Sequence, residues 1–511
     1  MSITLNSSLE KVLLTKCHPV KVELESTKSA IQFTERYLAL EFSGNNVIGE
    51  DFTIIVDSLT LTIPVVASAD STGNEISVRG AETLNTYRDN VINELLNNYY
   101  ICLYFTLSSF TGAHGESSIK FIPRDINVTM SISEAMTDTT AELVETANGD
   151  YEENFSIALI VEHLDTSDNV TDQFEHLLPV LDDDTVEFDI QKDFSLSYER
   201  PMEDALTTST TYHGICTKPI QKFQMKWAEY YGNPATFQGL ADNSTIYFAL
   251  YGGRSWLNRN ESWYTAFLAA EKFLTYQSRS KEVTFDQPEF LYFFLDASTN
   301  RDLELFISYT LQNDTFGTET KSLGTVSANS LIWLKVGLEY LNITVPPSNP
   351  IKSYEIRVRD VTGTTTDISE TFSFTVTLDQ TDYSRFFLFG NSLGGCDVVR
   401  GTGKVKSMAT YSKTESLQDA ESDDQVGGVL VLNKRQQSTY SGSLGFKDEF
   451  YIKQLQELLL SDQVWEIDIE NGEYIPLVVD TSSVELFQDD DDLYKMRWEY
   501  RHAFFECALE F

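Results

Sequence analysis

Cysteine is scarce in this sequence and shows no pairing pattern. Cys17, Cys102, Cys216, Cys396 and Cys507 are far apart and odd in number. No CxxC pair occurs, so neither a zinc ribbon nor a dithiol redox centre is supported. They read as free thiols buried as small apolar side chains, which fits assembly in a reducing cytoplasm. Basic charge is also in short supply. There are 37 Lys and Arg against 78 Asp and Glu, a formal net charge of −41. A nucleic-acid binder neutralises phosphates with a basic footprint, and none is visible. An anionic membrane surface would repel such a chain. No stretch approaches the roughly 18 apolar residues of a membrane-crossing helix. Met1 to Pro19 lacks the apolar segment and small-residue cleavage site of an export signal, so none is expected.

Histidine is equally sparse. His18, His114, His163, His176, His213 and His502 form no HExxH or other paired-ligand spacing. They read as surface or packing residues. The runs Asp182 to Asp184 and Asp489 to Asp492 lack the alternating spacing and distal Glu of a calcium loop. Each reads as a solvated turn. No cofactor and no metal are expected.

What the sequence has is apolar and aromatic content. Hydrophobic residues make up 41%, with 25 Tyr and 32 Phe. Flat rings and β-branched side chains pack well on pleated sheets. At about 100–200 residues per domain, a chain of 511 residues should hold three or four domains. The fold expected is mainly β with a few helices, built from β-sandwich modules.

The period of the apolar residues divides the chain. In residues 1–150, Ile54 to Val66 reads as a strand broken at Pro64, Ser71 to Asn74 as a turn, and Ile76 to Val78 as a strand. Leu84, Tyr87, Val91, Leu95 and Leu96 then recur at helical spacing, predicting a helix over 82–97. Asn97-Asn98 ends it, and Tyr99 to Leu107 reads as a strand. Residues 430–511, within a C-terminal domain expected over 386–511, follow the same order. Val429 to Leu432 reads as a strand, Ser441 to Ser443 as a loop, and Phe450, Gln454, Leu455, Leu458 and Leu459 as one face of a helix over 447–461. Val464 to Ile469 and Tyr474 to Val479 flank Asn471-Gly472, a tight hairpin turn. Tyr494 to Phe511 reads as a closing strand. Between the ends, 284–385 alternates cleanly through Leu303 to Tyr309, Ile332 to Leu338, Tyr354 to Val358 and Phe372 to Leu378, as in a β-sandwich. Pro346 to Pro350 reads as a rigid surface connection. Residues 151–283 resist partition; within them Val186 to Tyr198 reads as extended.

Three motifs invite a chemical reading. Gly390-Asn391-Ser392-Leu393-Gly394 matches G-x-S-x-G after the apolar run Phe386 to Phe389. A hydrolase elbow needs a helix next, and Cys396 to Gly401 places two β-branched residues between glycines. A strand-end turn is expected, and no catalytic residue is assigned. Gly401-Thr402-Gly403-Lys404 is missing the earlier Gly of a phosphate loop, since Val398 stands there, and Val405 replaces its Ser or Thr. Trp256, Trp263 and Tyr264 lie near Arg254, Asn258, Arg259 and Asn260; they read first as core packing or an inter-subunit contact, and as candidate contacts for a glycan or a partner protein in the alternative.

The order Arg385-Phe386-Phe387-Leu388-Phe389-Gly390-Asn391-Ser392-Leu393-Gly394-Gly395-Cys396-Asp397, then Ser441-Gly442-Ser443-Leu444, the Leu-rich helix, Ile475 to Val479 and Trp498 to Ala503 resembles distal-tail or baseplate proteins of tailed phages and prophages of Bacteroidetes-type bacteria. The resemblance covers mainly residues 285–511. It implies a non-enzymatic virion protein, assembled in the host cytoplasm, that forms a homo-oligomeric ring at the tail tip and joins the tube to receptor-binding parts. Its partners would be copies of itself and other tail proteins. Tail-tube-type domains are β-sandwiches flanked by one helix. If both chain ends have that form, a trimer presents six of them to a six-fold tube; a hexamer is the other ring expected. The competing readings are a glycan-binding adhesion module, another virion ring or a capsid-surface protein.

Overall fold

Alternation of apolar and polar side chains becomes paired strand over most of this chain. The computed structural model describes residues 3–7, 9–16, 19–28, 33–42, 51–56, 59–67, 76–78, 84–96, 99–111, 117–124, 129–134, 139–147, 151–180, 185–207, 210–253, 262–344, 348–377, 383–417, 429–447, 449–480 and 494–505. Among them, strands far outnumber helices, so the fold is mainly β, as expected. No described helix is long and apolar enough to cross a membrane.

The first module does not begin where the sequence suggests. Strand Lys21–Ser26 pairs with Ile3–Leu5 on one side and with Thr185–Asp189 on the other. This small sheet packs on a five-stranded sheet whose strands run Val170–Pro179, Ser156–Leu164, Ile220–Gly232, Ala235–Leu250 and Val12–Leu14 in spatial order. Val22, Leu24, Ile157, Leu159, Val161, Phe188, Phe223 and Met225 fill the layer between them. The first 26 residues therefore belong with 151–250, and 33–147 forms a unit of its own. The reason is Val22 and Leu24, which are fully buried only against that second layer.

The 33–147 unit holds two four-stranded sheets around Leu38, Leu40, Ile54, Ile63, Ile119 and Phe121. Helix Leu84–Leu95 lies where the period predicts, with Val91 and Leu95 buried. Two local readings change. Strands Asp51–Val56 and Leu59–Ala67 pair antiparallel, so they are two strands rather than one, and Pro64 lies inside the second. Tyr99–Tyr104 is a second short helix, and the strand starts only at Phe105. A helical turn puts Ile101 and Phe105 on one side, and both are buried. An extended chain would send alternate rings to solvent.

The 280–376 region is a β-sandwich, as the alternation implied. Strands His213–Cys216, Ser330–Lys335 and Phe290–Leu295 make one layer. The other is Ser280–Val283, Phe372–Val376, Ile351–Asp360, Arg301–Leu311 and Phe316–Val326, with Thr366–Asp367 at its side. Leu305, Ile307, Ile332, Leu334, Ile356 and Val358 close the core.

The C-terminal module is a seven-stranded sheet. Its strands run Cys396–Gly401, Arg385–Gly390, Val464–Asp468, Glu473–Val479, Tyr494–His502, Val429–Lys447 and Lys406–Leu417 in spatial order. Helix Glu449–Leu460 places Leu455 and Leu458 against Phe387, Phe389, Trp498 and Tyr500. Asp468 fixes the expected hairpin turn: its carboxylate accepts from the Asn471 backbone N–H and from Asn471 Nδ2, and Gly472 follows with φ +69°. Ser441 to Ser443 is not a loop. It lies inside the 19-residue strand Val429–Lys447, and the chain instead bulges between Ser443 and Phe446, where Gly445 has φ +91°. The last strand ends at His502. The expectations for residues 71–74, 97–98, 182–184, 346–347 and 489–492 lie outside the described residues.

Candidate functional site

A long, largely exposed hairpin joins Lys406–Leu417 to Val429–Lys447. Its register runs from Lys406 opposite Ser441 to Leu417 opposite Val429. The strand Tyr494–His502 supports it only from Thr439 onward. From Ala409 opposite Ser438 outward, the two strands have no third neighbour among the described residues. They form an arm that leaves the sheet. Every residue of Lys406–Leu417 is exposed except Ser416, which is half-buried.

Two features set the arm apart from ordinary surface. The first is its far end. Leu417 is 86% exposed and Leu432 60% exposed, with Val429 and Val431 beside them also exposed. Four apolar side chains at the end of a free hairpin are a cost in water, and exposed, uncharged β-prone segments template aggregation unless covered. A two-stranded ribbon is also marginal by itself. The second is charge. Beyond Lys447 at their base, the two strands carry Lys406, Lys413, Lys434 and Arg435 against Glu415, in a chain of net charge −41. The connecting residues 418–428 hold Asp419, Glu421, Asp423 and Asp424. Local contacts of the basic groups are weak. Lys413 pairs with Glu415 in the open, Lys434 stands 5.6 Å from the centre of the Tyr411 ring, and Arg435 5.8 Å from that of Phe505.

No family model matches the chain, and no curated protein matches its sequence. What the chain does is therefore argued from its own residues.

The G-x-S-x-G segment is a packed turn. Asn391 is fully buried, and its side-chain Oδ1 accepts from the backbone N–H groups of Leu393 (3.0 Å) and Gly395 (3.1 Å). Its Nδ2 donates to the Leu274 carbonyl (2.8 Å), and its own carbonyl accepts from Tyr198 Oη (2.7 Å). Ser392 Oγ donates to Glu457 Oε1 (2.9 Å), and the Ser392 N–H donates to Glu457 Oε2 (2.6 Å). A carboxylate on the neighbouring helix thus holds the Ser, and a strand follows the turn, as expected. The segment joins three stretches of chain rather than exposing a nucleophile.

Beside that turn lies a buried ionic group. Lys281 Nζ donates to Glu289 Oε1 and Oε2 (2.7 and 2.9 Å) and to the Val398 carbonyl (2.6 Å). Gln287 Nε2 donates to Glu289 Oε1 (2.5 Å). Asp397 accepts from Thr275 Oγ1 (3.0 Å). Burial pushes the Asp397 carboxyl up to about 7 and also raises Glu289, against the pull of Lys281. This group ties the sandwich to the C-terminal sheet.

Of the aromatic candidates, Trp263 is 2% exposed and belongs to the core shared by the modules, alongside Tyr198, Tyr292 and Trp333. It cannot serve as a surface contact, because helical spacing turns its ring inward, where it stacks near Phe267. Tyr264 is half-buried and donates its hydroxyl to Asp296, which pushes its pKa up to about 12. Trp256 lies outside the described residues. His163 stacks on Phe194, and burial lowers its pKa; His176 hydrogen-bonds Asp193. Both pack rather than ligate. Cys216 and Cys396 are free and buried, and burial raises both thiols, Cys396 to about 12.

Proposed function

We propose that this chain is a non-enzymatic structural subunit of a phage tail, which assembles with copies of itself into a ring of three or six chains at the tail tip or baseplate and joins the tube to receptor-binding parts. The observation that carries the reading is the arm, a long hairpin whose apolar end has no cover among the described residues. A subunit made to be finished by its neighbours has that feature, and a solitary soluble protein manages its edges away. The rest of the molecule is in keeping with a scaffold. The segment that most resembles an enzyme motif is spent on holding modules together. The dominant acidic charge would keep the free subunit soluble and a pore wall repulsive toward DNA.

The test is the mass of the purified native chain by light scattering, with negative-stain images of the same sample. Rings, or a mass three or six times 57.9 kDa, are expected. A single species of 57.9 kDa at the highest soluble concentration contradicts the reading.

A further inference from the structure

Resting on the self-assembly reading, we infer that the arm's outer strand, Lys406–Leu417, adds edge-to-edge to the strand Val170–Pro179 of a second copy of this chain. Both are true sheet edges. Lys406–Leu417 pairs only with Val429–Lys447, and Val170–Pro179 only with Ser156–Leu164, among the described residues. They are similar in length, 12 and 10 residues. Each therefore presents a row of backbone N–H and C=O groups that a strand of the other could satisfy.

Charge selects this pairing over the alternatives. The hairpin that includes Val170–Pro179 runs from Ser156 to Pro179 and has no Lys or Arg; Lys226 and Lys222 of the next strand pair with its Glu162 and Asp168, which leaves Asp165, Asp172 and Glu175. Asp172 and Glu175 are exposed on the edge strand itself. The arm's strands carry the four basic residues named above. Pairing two arms, or two acidic edges, sets like charges face to face, which is destabilising. Pairing one with the other sets opposite charges together. Charge on an edge is also a general guard against aggregation, but a guard alone does not require opposite signs on the two edges. Both edges carry exposed apolar side chains for the contact to cover: Val170, Leu177 and Leu178 on one, Met408, Tyr411 and Leu417 on the other.

The two surfaces differ, so the contact is head-to-tail. Such a contact makes rings when the rotation closes and filaments when it does not. An isologous two-fold dimer does not follow from it.

The experiment uses charge reversal in the full chain. Lys406→Glu with Lys413→Glu, and separately Asp172→Lys with Glu175→Lys, are each expected to reduce the native mass to 57.9 kDa. All four substitutions together are expected to restore the oligomer. The replaced side chains are exposed, so circular dichroism should show unchanged folding. If the Lys406 and Lys413 reversals dissociate the oligomer while the Asp172 and Glu175 reversals leave it intact, the acidic edge is not the receptor and the inference falls, while self-assembly through the arm stands. Failure of the fourfold variant to reassemble also overturns the inference. A wild-type chain that is monomeric throughout removes both.

Discussion

Replacing Asn391 with Leu should lower stability by about 4 kcal/mol or more, since each buried partner left unsatisfied costs about 1–3 kcal/mol. Leu fills a similar volume, so the loss is polar rather than a cavity. Three groups lose their partners: the N–H of Leu393, the N–H of Gly395 and the carbonyl of Leu274. All lie at a turn that is fully buried at Asn391. Domain stabilities are typically about 5–15 kcal/mol, so the variant should melt far below the wild type or fail to fold. Ser392→Ala is the control. It removes one hydrogen bond to Glu457 and should cost about 1 kcal/mol. Denaturant midpoints of the two variants measure the difference. Equal, small losses would mean that the turn does not join the modules as described.

Lys281→Met should be similarly severe. It leaves Glu289 buried without its cation and the Val398 carbonyl without its donor. Breaking one side of a buried pair costs about 3–5 kcal/mol. The same cluster sets a pH dependence. Asp397 has a folded-state pKa of about 7, above its ordinary value of 3.8, so the folded chain holds a proton that the unfolded chain releases. That contribution to stability is complete below about pH 4 and fades as pH rises through 7. Glu289 is raised in the same direction. The carboxylates lowered by partners, such as Asp367 beside Arg357 and Arg359, act oppositely, and their contribution is lost only as the pH falls below the ordinary carboxylate range. Stability should therefore decline between about pH 5 and pH 8, beyond the region where those pairs matter. Asp397→Asn keeps the shape and removes the proton, so it should flatten this decline and be more stable than wild type at pH 8. A variant with the wild-type slope would contradict the assignment to Asp397.

Much of the architecture was legible because period reports burial. The clean alternation of Leu303 to Tyr309 and Tyr354 to Val358 reflects a sheet with one wet and one dry face, and both stretches are strands of the sandwich. The stripe through Val91 and Leu95 marked a helix for the same reason. Period says nothing about partners distant in sequence. Val22 and Leu24 fall within the N-terminal 150 residues by sequence, and only the packing against Phe188 and Phe223 assigns them to the neighbouring module. Tyr99 to Tyr104 failed because aromatic content favours strands on average, while here Ile101 and Phe105 are buried and Leu103 between them is exposed, which a helical turn allows and strand alternation does not.

The candidate surface was least legible. Met408, Tyr411 and Leu417 stand among Ser, Thr and Lys without the strict alternation that marks a single buried face. Here both faces are wet, and sequence carries no signal for a sheet that runs beyond its support. Trp263 takes the core-packing reading rather than the glycan one, since its ring turns into the shared core despite polar neighbours in sequence.

The arm is the centre of this account, and shortening it is the most direct test. Residues 410–437 would be replaced by Asn-Gly, joining Ala409 to Ser438, which already face each other in the hairpin register. The support from Tyr494–His502 begins at Thr439 and is kept. The full chain should run as a multiple of 57.9 kDa by light scattering, and the shortened chain as a folded monomer of correspondingly lower mass. The same oligomeric state for both chains, whether assembled or monomeric, would contradict the claim that this arm makes the chain a self-assembling subunit.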